Sequence, residues 1–215
     1  MIENDHVHKV YEQIAAHFSD TRHKQWPVVS DFLSQQLGLG LDVGCGNGKY
    51  LSSTSNALVL GCDYSPKLAH ICQERGFHSL VADALSLPYR PVFDFCLSIA
   101  VVHHLSTAER RRKAIENMLR ILKPGGRMLV YVWALEQTGK RQFTQQDVMV
   151  PWKLPNKYTH DSAQKELVET QVVYQRYYHM FVKGELDHLV ASTGLARIVQ
   201  VGYDRDNHYV IAERI

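Results

Sequence analysis

Asp42, Gly44, Gly46 and Gly48 fall in the run Leu41-Asp42-Val43-Gly44-Cys45-Gly46-Asn47-Gly48-Lys49-Tyr50. Glycines at alternate positions let the main chain turn sharply and let a ligand press against bare backbone. The apolar residues from Leu37 to Val43 read as a buried strand feeding this loop. Asn47 onward is expected to begin a helix whose first N–H groups point into the loop. A dinucleotide loop has the spacing G-x-G-x-x-G, and here Lys49 stands where its third glycine would be. Asp42, two residues before the first glycine, would repel a pyrophosphate. A ligand with an ammonium group and a sulfonium, and no phosphate, tolerates or uses that carboxylate, and S-adenosylmethionine fits this description. A glycine-rich turn without a ligand is the alternative for the loop taken alone.

Two further acids bear on that choice. Leu58 to Asp63 reads as a second strand ending in an acid, and Ser79 to Asp83 as a third. Ligands of open α/β sheets sit beyond the carboxyl ends of the strands. Asp63, followed by Tyr64, is placed to accept both ribose hydroxyls. Asp83 is placed to accept from an adenine amino group, with Ala84 and Leu85 beside the ring. Ser98 to Val102, including Ala100, would flank the methionine part. With Tyr11 from the N-terminal helix, the cofactor contacts expected are Tyr11, Asp42, Gly44, Cys45, Gly46, Asn47, Gly48, Asp63, Tyr64, Asp83, Ala84, Leu85 and Ala100.

The elements that must hold these residues follow from the hydrophobic pattern. Val7, Tyr11, Ile14, Ala15 and Phe18 share one helical face, and Pro27 suits the start of a second helix over Val29, Phe32 and Leu33. Both precede the first strand, as plain packing or as a lid over residues 1–37. After the glycine loop, Ser65-Pro66 opens a helix. Phe93 to Ala100 is a fourth strand, and Ser106-Thr107-Ala108-Glu109 has the form of a capping box. Pro124-Gly125-Gly126 stops that helix before a fifth strand, Arg127 to Trp133. From Glu136 to about Gln171 the pattern weakens and reads as a surface insertion. Met180 to Ser192 reads as a helix. Arg197 to Tyr203 and His208 to Glu213 form a closing antiparallel hairpin. The expected fold is α/β and Rossmann-like in one domain, with parallel strands, right-handed crossovers and an antiparallel terminal hairpin.

Composition sets the outer bounds. The chain has 215 residues, 45% hydrophobic and 21% charged, which suits one domain with a sizeable core. No apolar run nears the ~18 residues that span a bilayer, and no basic-then-apolar leader opens the chain. A soluble cytoplasmic protein is the expectation. Cys45, Cys62, Cys72 and Cys96 form no C-x-x-C pair, so four free thiols and no metal site are expected. A formal net charge of +2 permits a nucleic-acid partner without demanding one.

Several blocks narrow the reading: Val10 to Arg22, Trp26-Pro27, Ser98 to His104, Glu109-Arg110-Arg111, Trp133 to Gln137, Val150-Pro151-Trp152, Arg176 to His179, Gly184-Glu185-Leu186 and Gly202 to Asn207. Spread over nearly the whole chain, they resemble the eukaryotic tRNA wobble-uridine carboxymethyl methyltransferases, within the class I S-adenosylmethionine-dependent methyltransferases. The resemblance implies a seven-stranded, mostly parallel sheet and esterification of carboxymethyluridine at the anticodon wobble base. It also implies a heterodimer with a small zinc-binding activator protein. His208 departs from the pattern, which has an aromatic residue there. The absence of a dioxygenase or RNA-recognition domain points to the stand-alone type.

The residues themselves suit that chemistry. A carboxylate is ionised at neutral pH and needs no general base to attack a sulfonium methyl. It needs positioning in line and cationic donors. Arg22, His103, Arg176 and Arg205 are the candidate donors, and Trp133, Tyr177 and Tyr178 could stack a flipped-out base. His103 also reads as a satisfied core histidine, and Trp133 as strand packing. Arg110 to Lys113 is either a solvated helix face or, with Lys140-Arg141, a phosphate track. A methyltransferase acting on a small carboxylic acid or quinone shares the cofactor site and would lack the tRNA surface. A scaffold without activity would have lost the ligand acids, which are all present.

Overall fold

The computed structural model describes residues 2–22, 24–52, 56–139, 142–158 and 172–215. Seven strands form one sheet: β1 (Gly38–Val43), β2 (Ala57–Asp63), β3 (Ser79–Val81), β4 (Phe93–Ile99), β5 (Leu122–Trp133), β8 (Ala196–Asp204) and β9 (Asn207–Arg214). Their order is β3-β2-β1-β4-β5-β9-β8. β1 to β5 run parallel, and β9 is antiparallel to both β5 and β8. This is the seven-stranded, mostly parallel sheet with a terminal hairpin that the sequence implied. The central strands read as near-continuous apolar runs because both their faces are covered. On one face α2 (Pro27–Ser34) packs Val29, Phe32 and Leu33 against Phe95, Leu97, Leu129 and Tyr131. On the other, α4 (Ala108–Arg120) and α5 (Glu185–Ala191) set Ile115, Met118, Leu119, Leu186 and Val190 against Leu41, Val43, Met128 and Val130. The direction of chain crossing reverses between β1 and β4, which opens a crevice at their carboxyl ends.

Local chemistry starts the helices. The Ser65 hydroxyl accepts from the Leu68 N–H at 3.2 Å, and Pro66 occupies the first turn of α3 (Pro66–Glu74). At α4 the cap is Thr107, accepting from the Arg110 N–H at 3.3 Å, and not Ser106. The Ser106 hydroxyl instead donates to the Glu3 carboxylate at 2.8 Å.

Three segments depart from expectation. Among the described residues no helix follows the glycine loop: residues 46–52 are turns, and Gly48 takes a φ of +80°, which a right-handed helix does not accommodate. The helix expected from Met180 begins only at Glu185, and Met180 and Phe181 are fully buried instead. The stretch read as a surface insertion contains β6 (Asp147–Leu154), paired antiparallel along its length with β7 (Val172–His179). Pro151 is tolerated in β6 because, among the described residues, that strand is bonded on one side only. Residues 159–171, Lys140 and Arg141 lie outside the described residues, as does His23.

The β6–β7 hairpin packs on α1 (Lys9–Asp20), where Val10 and Ile14 meet Leu154, Trp152 and Tyr174. Its other end is pinned by His179, whose ring nitrogens donate to Asp147 Oδ1 at 2.9 Å and Glu185 Oε1 at 2.7 Å. The ring thus bridges a carboxylate on each nitrogen. Arg111 Nη2 stands 3.9 Å from the same Glu185 oxygen. His179→Ala would leave both carboxylates without their shared hydrogen-bond partner. The expected cost is about 2 kcal/mol in urea unfolding, below that of a fully buried pair because Asp147 is exposed to solvent. An unchanged urea midpoint would remove His179 from the hairpin's attachment.

No helix among the described residues is long and apolar enough to cross a membrane. All four cysteines are free and buried.

Candidate active site

A cavity of about 630 Å³ lies over the carboxyl ends of β1, β2 and β4. Gly44, Gly46, Asp63, Tyr64 and Ala100 line its floor, and Val7, His8, Tyr11, Phe18 and Arg22 line its roof. Residues of the first helical stretch thus line the cavity, whereas none of α2 does. Gly44 has a φ of +77°, and a Cβ there would stand 2.2 Å from Val101 Cγ2. Ala100 carries a φ of +62° without being glycine, a costly backbone state concentrated at functional sites.

The floor is electrostatically prepared for a ligand. Asp42 lies beneath the floor, outside the cavity lining, and both its carboxylate oxygens are buried with no hydrogen-bond partner among the described residues. Burial pushes this carboxyl up to about 7, against the pull of the Lys49 charge and with a push from Asp63. Asp63 is held by the Ser65 and Gly46 N–H groups, each donating at 2.9 Å to a different oxygen. Its pKa is raised by burial, although those donors lower it. The fixed carboxylate keeps lone pairs toward the cavity, where a vicinal diol can be received. Burial lowers Lys49 to about 8, with Asp42 opposing the shift. Its ammonium lies 4.5 Å from the Tyr50 ring centroid and 5.1 Å from that of Trp26.

Aromatic rings and guanidinium groups gather at the opposite wall. Trp133 stacks on Tyr178 with centroids 4.5 Å apart and planes at 27°. Both line the cavity. Tyr178 is 2% exposed. His104 Nδ1 donates to the Tyr177 carbonyl at 2.8 Å, leaving Nε2 to accept from the Tyr11 hydroxyl at 2.9 Å. Burial lowers His104 to about 3, so this ring is neutral. Arg176 Nη1 donates to the Tyr11 hydroxyl at 3.4 Å. Burial works against the Arg176 charge, but Tyr11 and Tyr178 outweigh it and the pKa is raised.

The candidate donors divide. Arg22 lines the cavity. Arg176 sits behind it, in contact with Tyr11 and Tyr178. His103 is fully buried; its Nδ1 accepts from the Trp133 N–H at 3.1 Å, and burial drives its pKa well down. Its Nε2 has no described partner. Arg205 lies on the exposed turn between β8 and β9, outside the cavity lining. Tyr177 points the other way along β7, its hydroxyl donating to Asp147.

The cofactor candidates divide as well. Asn47 donates through Nδ2 to the Ser19 and Arg22 carbonyls, each at 3.0 Å, and so latches the lid to the loop. Arg75 adds a second latch, to the Asn47 carbonyl at 2.8 Å and the Ser19 hydroxyl at 2.7 Å. Cys45 packs beside Cys72, and Gly48 faces Phe77 and Cys72; neither lines the cavity. Asp83 accepts from the Leu85 N–H at 2.8 Å, and Asp83, Ala84 and Leu85 lie outside the lining. Tyr64 stacks on His8 with centroids 3.6 Å apart, a ring pair the sequence did not foretell.

The basic run on α4 is largely engaged within the chain. Arg110 forms a fork with the buried Glu3, Arg111 is itself buried, and Arg112 pairs with Glu116. Only Lys113 is left exposed and outside such a pair, so the run does not form a continuous phosphate track. Sequence reading passed over Lys49, His8, His104 and Trp152. The signal for Trp152 was present in the apolar alternation Val148, Val150, Trp152, Leu154.

Comparison with known proteins supplies the rest. A family described as "Methyltransferase domain" matches residues 41–130. A Schizosaccharomyces pombe protein named tRNA (carboxymethyluridine(34)-5-O)-methyltransferase is 47% identical, over 99% of this chain and 97% of its own length. Among solved structures, the SAM-bound amino pentose methyltransferase CalS10 of Micromonospora echinaspora superposes with a TM-score of 0.62 at 19% identity, covering 95% of this chain and 92% of its own. A Haloferax volcanii complex of the Trm112 methyltransferase activator with a methyltransferase gives a TM-score of 0.66 at 15% identity, covering 97% of each chain.

Proposed function

The chain belongs to the tRNA (carboxymethyluridine(34)-5-O)-methyltransferase family, and from that premise we propose that it methylates the carboxylate of 5-carboxymethyluridine at the tRNA wobble position, with S-adenosylmethionine as donor, in the cytoplasm. The observation that carries the reading is the buried Arg176 guanidinium, which lies between the faces of Trp152 and Tyr178 behind a cavity floored by glycine backbone. When bound, S-adenosylmethionine supplies a sulfonium methyl open to in-line attack by a carboxylate. The unpartnered Asp42 carboxylate suits its ammonium group, and Asp63 its ribose hydroxyls. Gly44 and Gly46 leave room for close approach. Arg22 and Arg176 hold the acceptor carboxylate, and Trp133, which lines the cavity, receives the uracil ring. The lid over the roof keeps water from the reacting groups.

Incubating tRNA with the protein and methyl-labelled cofactor tests the assignment. Label should enter a nucleoside and leave again in mild alkali, because esters saponify whereas N- and C-methyl groups do not. Alkali-stable label, or label only in small molecules, overturns it. Asp63→Ala is expected to weaken cofactor binding by about 2–4 kcal/mol in calorimetry, through loss of a charge-assisted bidentate contact. Unchanged affinity would remove Asp63 from the cofactor site.

The reading extends to a small zinc-binding activator as partner. β3 is three residues long, lies at the sheet edge and exposes Leu80 and Val81 to 53% and 56%. Such an edge accepts an added strand. The Haloferax complex, named for a methyltransferase activator, adds support for a partner of this kind. Full activity from a soluble monomer purified alone would overturn the partnership.

A further inference from the structure

Lys49 lines the cavity together with Gly44, Gly46 and Trp26. Its ammonium lies over two rings, Tyr50 at 4.5 Å and Trp26 at 5.1 Å. Both rings are fixed: Tyr50 is buried, and Trp26 stacks on Tyr131 with centroids 4.4 Å apart. The Lys49 main chain is held as well, its carbonyl accepting from Gln25 Nε2 at 3.3 Å. Lys49 and Asp42 act on each other across the floor, each favouring the other's charged form. Neither Asp42 oxygen has a hydrogen-bond partner among the described residues, so the two do not close into a hydrogen-bonded ion pair. An anion and a cation set near each other in this way match a ligand that carries both charges on neighbouring atoms.

Resting on the function proposed above, we infer that Lys49 receives the carboxylate of the cofactor's methionine part and so selects the zwitterionic cofactor over its decarboxylated form. The α-ammonium and α-carboxylate share one carbon, so a ligand that turns its ammonium toward Asp42 brings its carboxylate close by, where Lys49 lines the cavity. Ring faces attract a cation through their quadrupole without neutralising it. Burial lowers Lys49 to about 8, which leaves it charged at pH 7, and a carboxylate at its side offsets that burial. Arg22 also lines the cavity, and its charge adds to the positive potential that a carboxylate meets there. The decarboxylated form keeps the adenosine, the sulfur and the ammonium. It would set an ammonium near that of Lys49 with no anion of its own to offset the repulsion.

The test is calorimetry of the full chain with two ligands, S-adenosylhomocysteine and the same molecule without its carboxylate. The unaltered protein should bind the first at least ~10-fold more tightly, the margin of a charge-assisted contact. Lys49→Met keeps the length of the side chain and loses the charge. Its binding of S-adenosylhomocysteine should fall by about tenfold while that of the decarboxylated ligand holds or rises, so the ratio shrinks to within about twofold. Lys49→Arg restores a cation and should recover most of the ratio. If Lys49→Met does not fold, Lys49→Gln is compared with Lys49→Arg in the same way. A ratio that survives loss of the charge overturns the inference, as does an equal loss for both ligands, which is the mark of a disturbed loop. Equal binding of the two ligands by the unaltered protein also overturns it, and leaves the cofactor reading standing. Failure of the unaltered protein to bind either ligand would instead overturn the cofactor reading, and this inference with it.

Discussion

Replacing Arg176 by alanine is expected to lower methyl-ester formation by about 10³-fold while S-adenosylmethionine binding survives. The guanidinium is the buried cation nearest the Trp133–Tyr178 wall, and its described contacts are the Tyr11 hydroxyl and two ring faces. Removing a fixed, charge-assisted donor from a water-poor site costs about 3–4 kcal/mol of transition-state stabilisation. Arg176→Lys keeps the charge and loses the planar fork, and should fall between the two. Alkali-labile label in tRNA measures transfer, and calorimetry measures cofactor binding. Activity within tenfold of the unaltered protein in Arg176→Ala would exclude Arg176 as the acceptor's anchor.

Asp42→Asn is expected to stabilise the ligand-free protein at pH 8 and to flatten its stability between about pH 4 and pH 7. The Asp42 carboxyl stands at about 7 in the folded chain, against 3.8 in the absence of its surroundings, with burial as the main cause. Below pH 3.8 the group is protonated in both states and makes no difference. As pH rises from there, the unfolded chain ionises first, while the folded chain keeps its proton until about pH 7. Stability therefore falls through that window, by about 4 kcal/mol in all at ~1.4 kcal/mol per pH unit. The asparagine side chain has no such proton to lose. Urea unfolding at pH 5 and pH 8 compares the two proteins directly. Equal pH slopes would show that Asp42 carries no burial penalty. The same substitution should weaken cofactor binding, since the carboxylate is the one matched to the ligand's ammonium group.

The parts of the molecule that follow a local rule could be read from the chain. The glycine loop, the acids ending β1 and β2, and the Ser65-Pro66 helix start each have a chemical signature within a few residues. The seven strands emerged because buried strands are short, apolar and separated by turn residues. Other features depend on residues far apart in sequence. Arg205 shares a block with turn residues whose role is structural, and nothing local distinguishes an exposed turn arginine from one facing a cavity. Arg110 was offered to solvent because its partner Glu3 lies 107 residues away. The contacts of Asn47 with the Ser19 and Arg22 carbonyls cannot be inferred from a loop motif. β6 was legible and missed: its period-two alternation was masked by Pro151, which marks a strand bonded on one side and does not exclude a strand.

Among the described residues, β6 and β7 are hydrogen-bonded to each other and join the seven-stranded sheet through no ladder. Asp42 and Asp63 belong to the sheet, where each change disturbs neighbours on both sides. Trp152 and Arg176 belong to a two-stranded appendage, where a substitution disturbs one partner strand and α1. A change in the appendage leaves the packing of the sheet intact. The same independence should be visible on the bench as a distinct kinetic unit, with β6 and β7 amides exchanging with solvent earlier than those of β1 and β4.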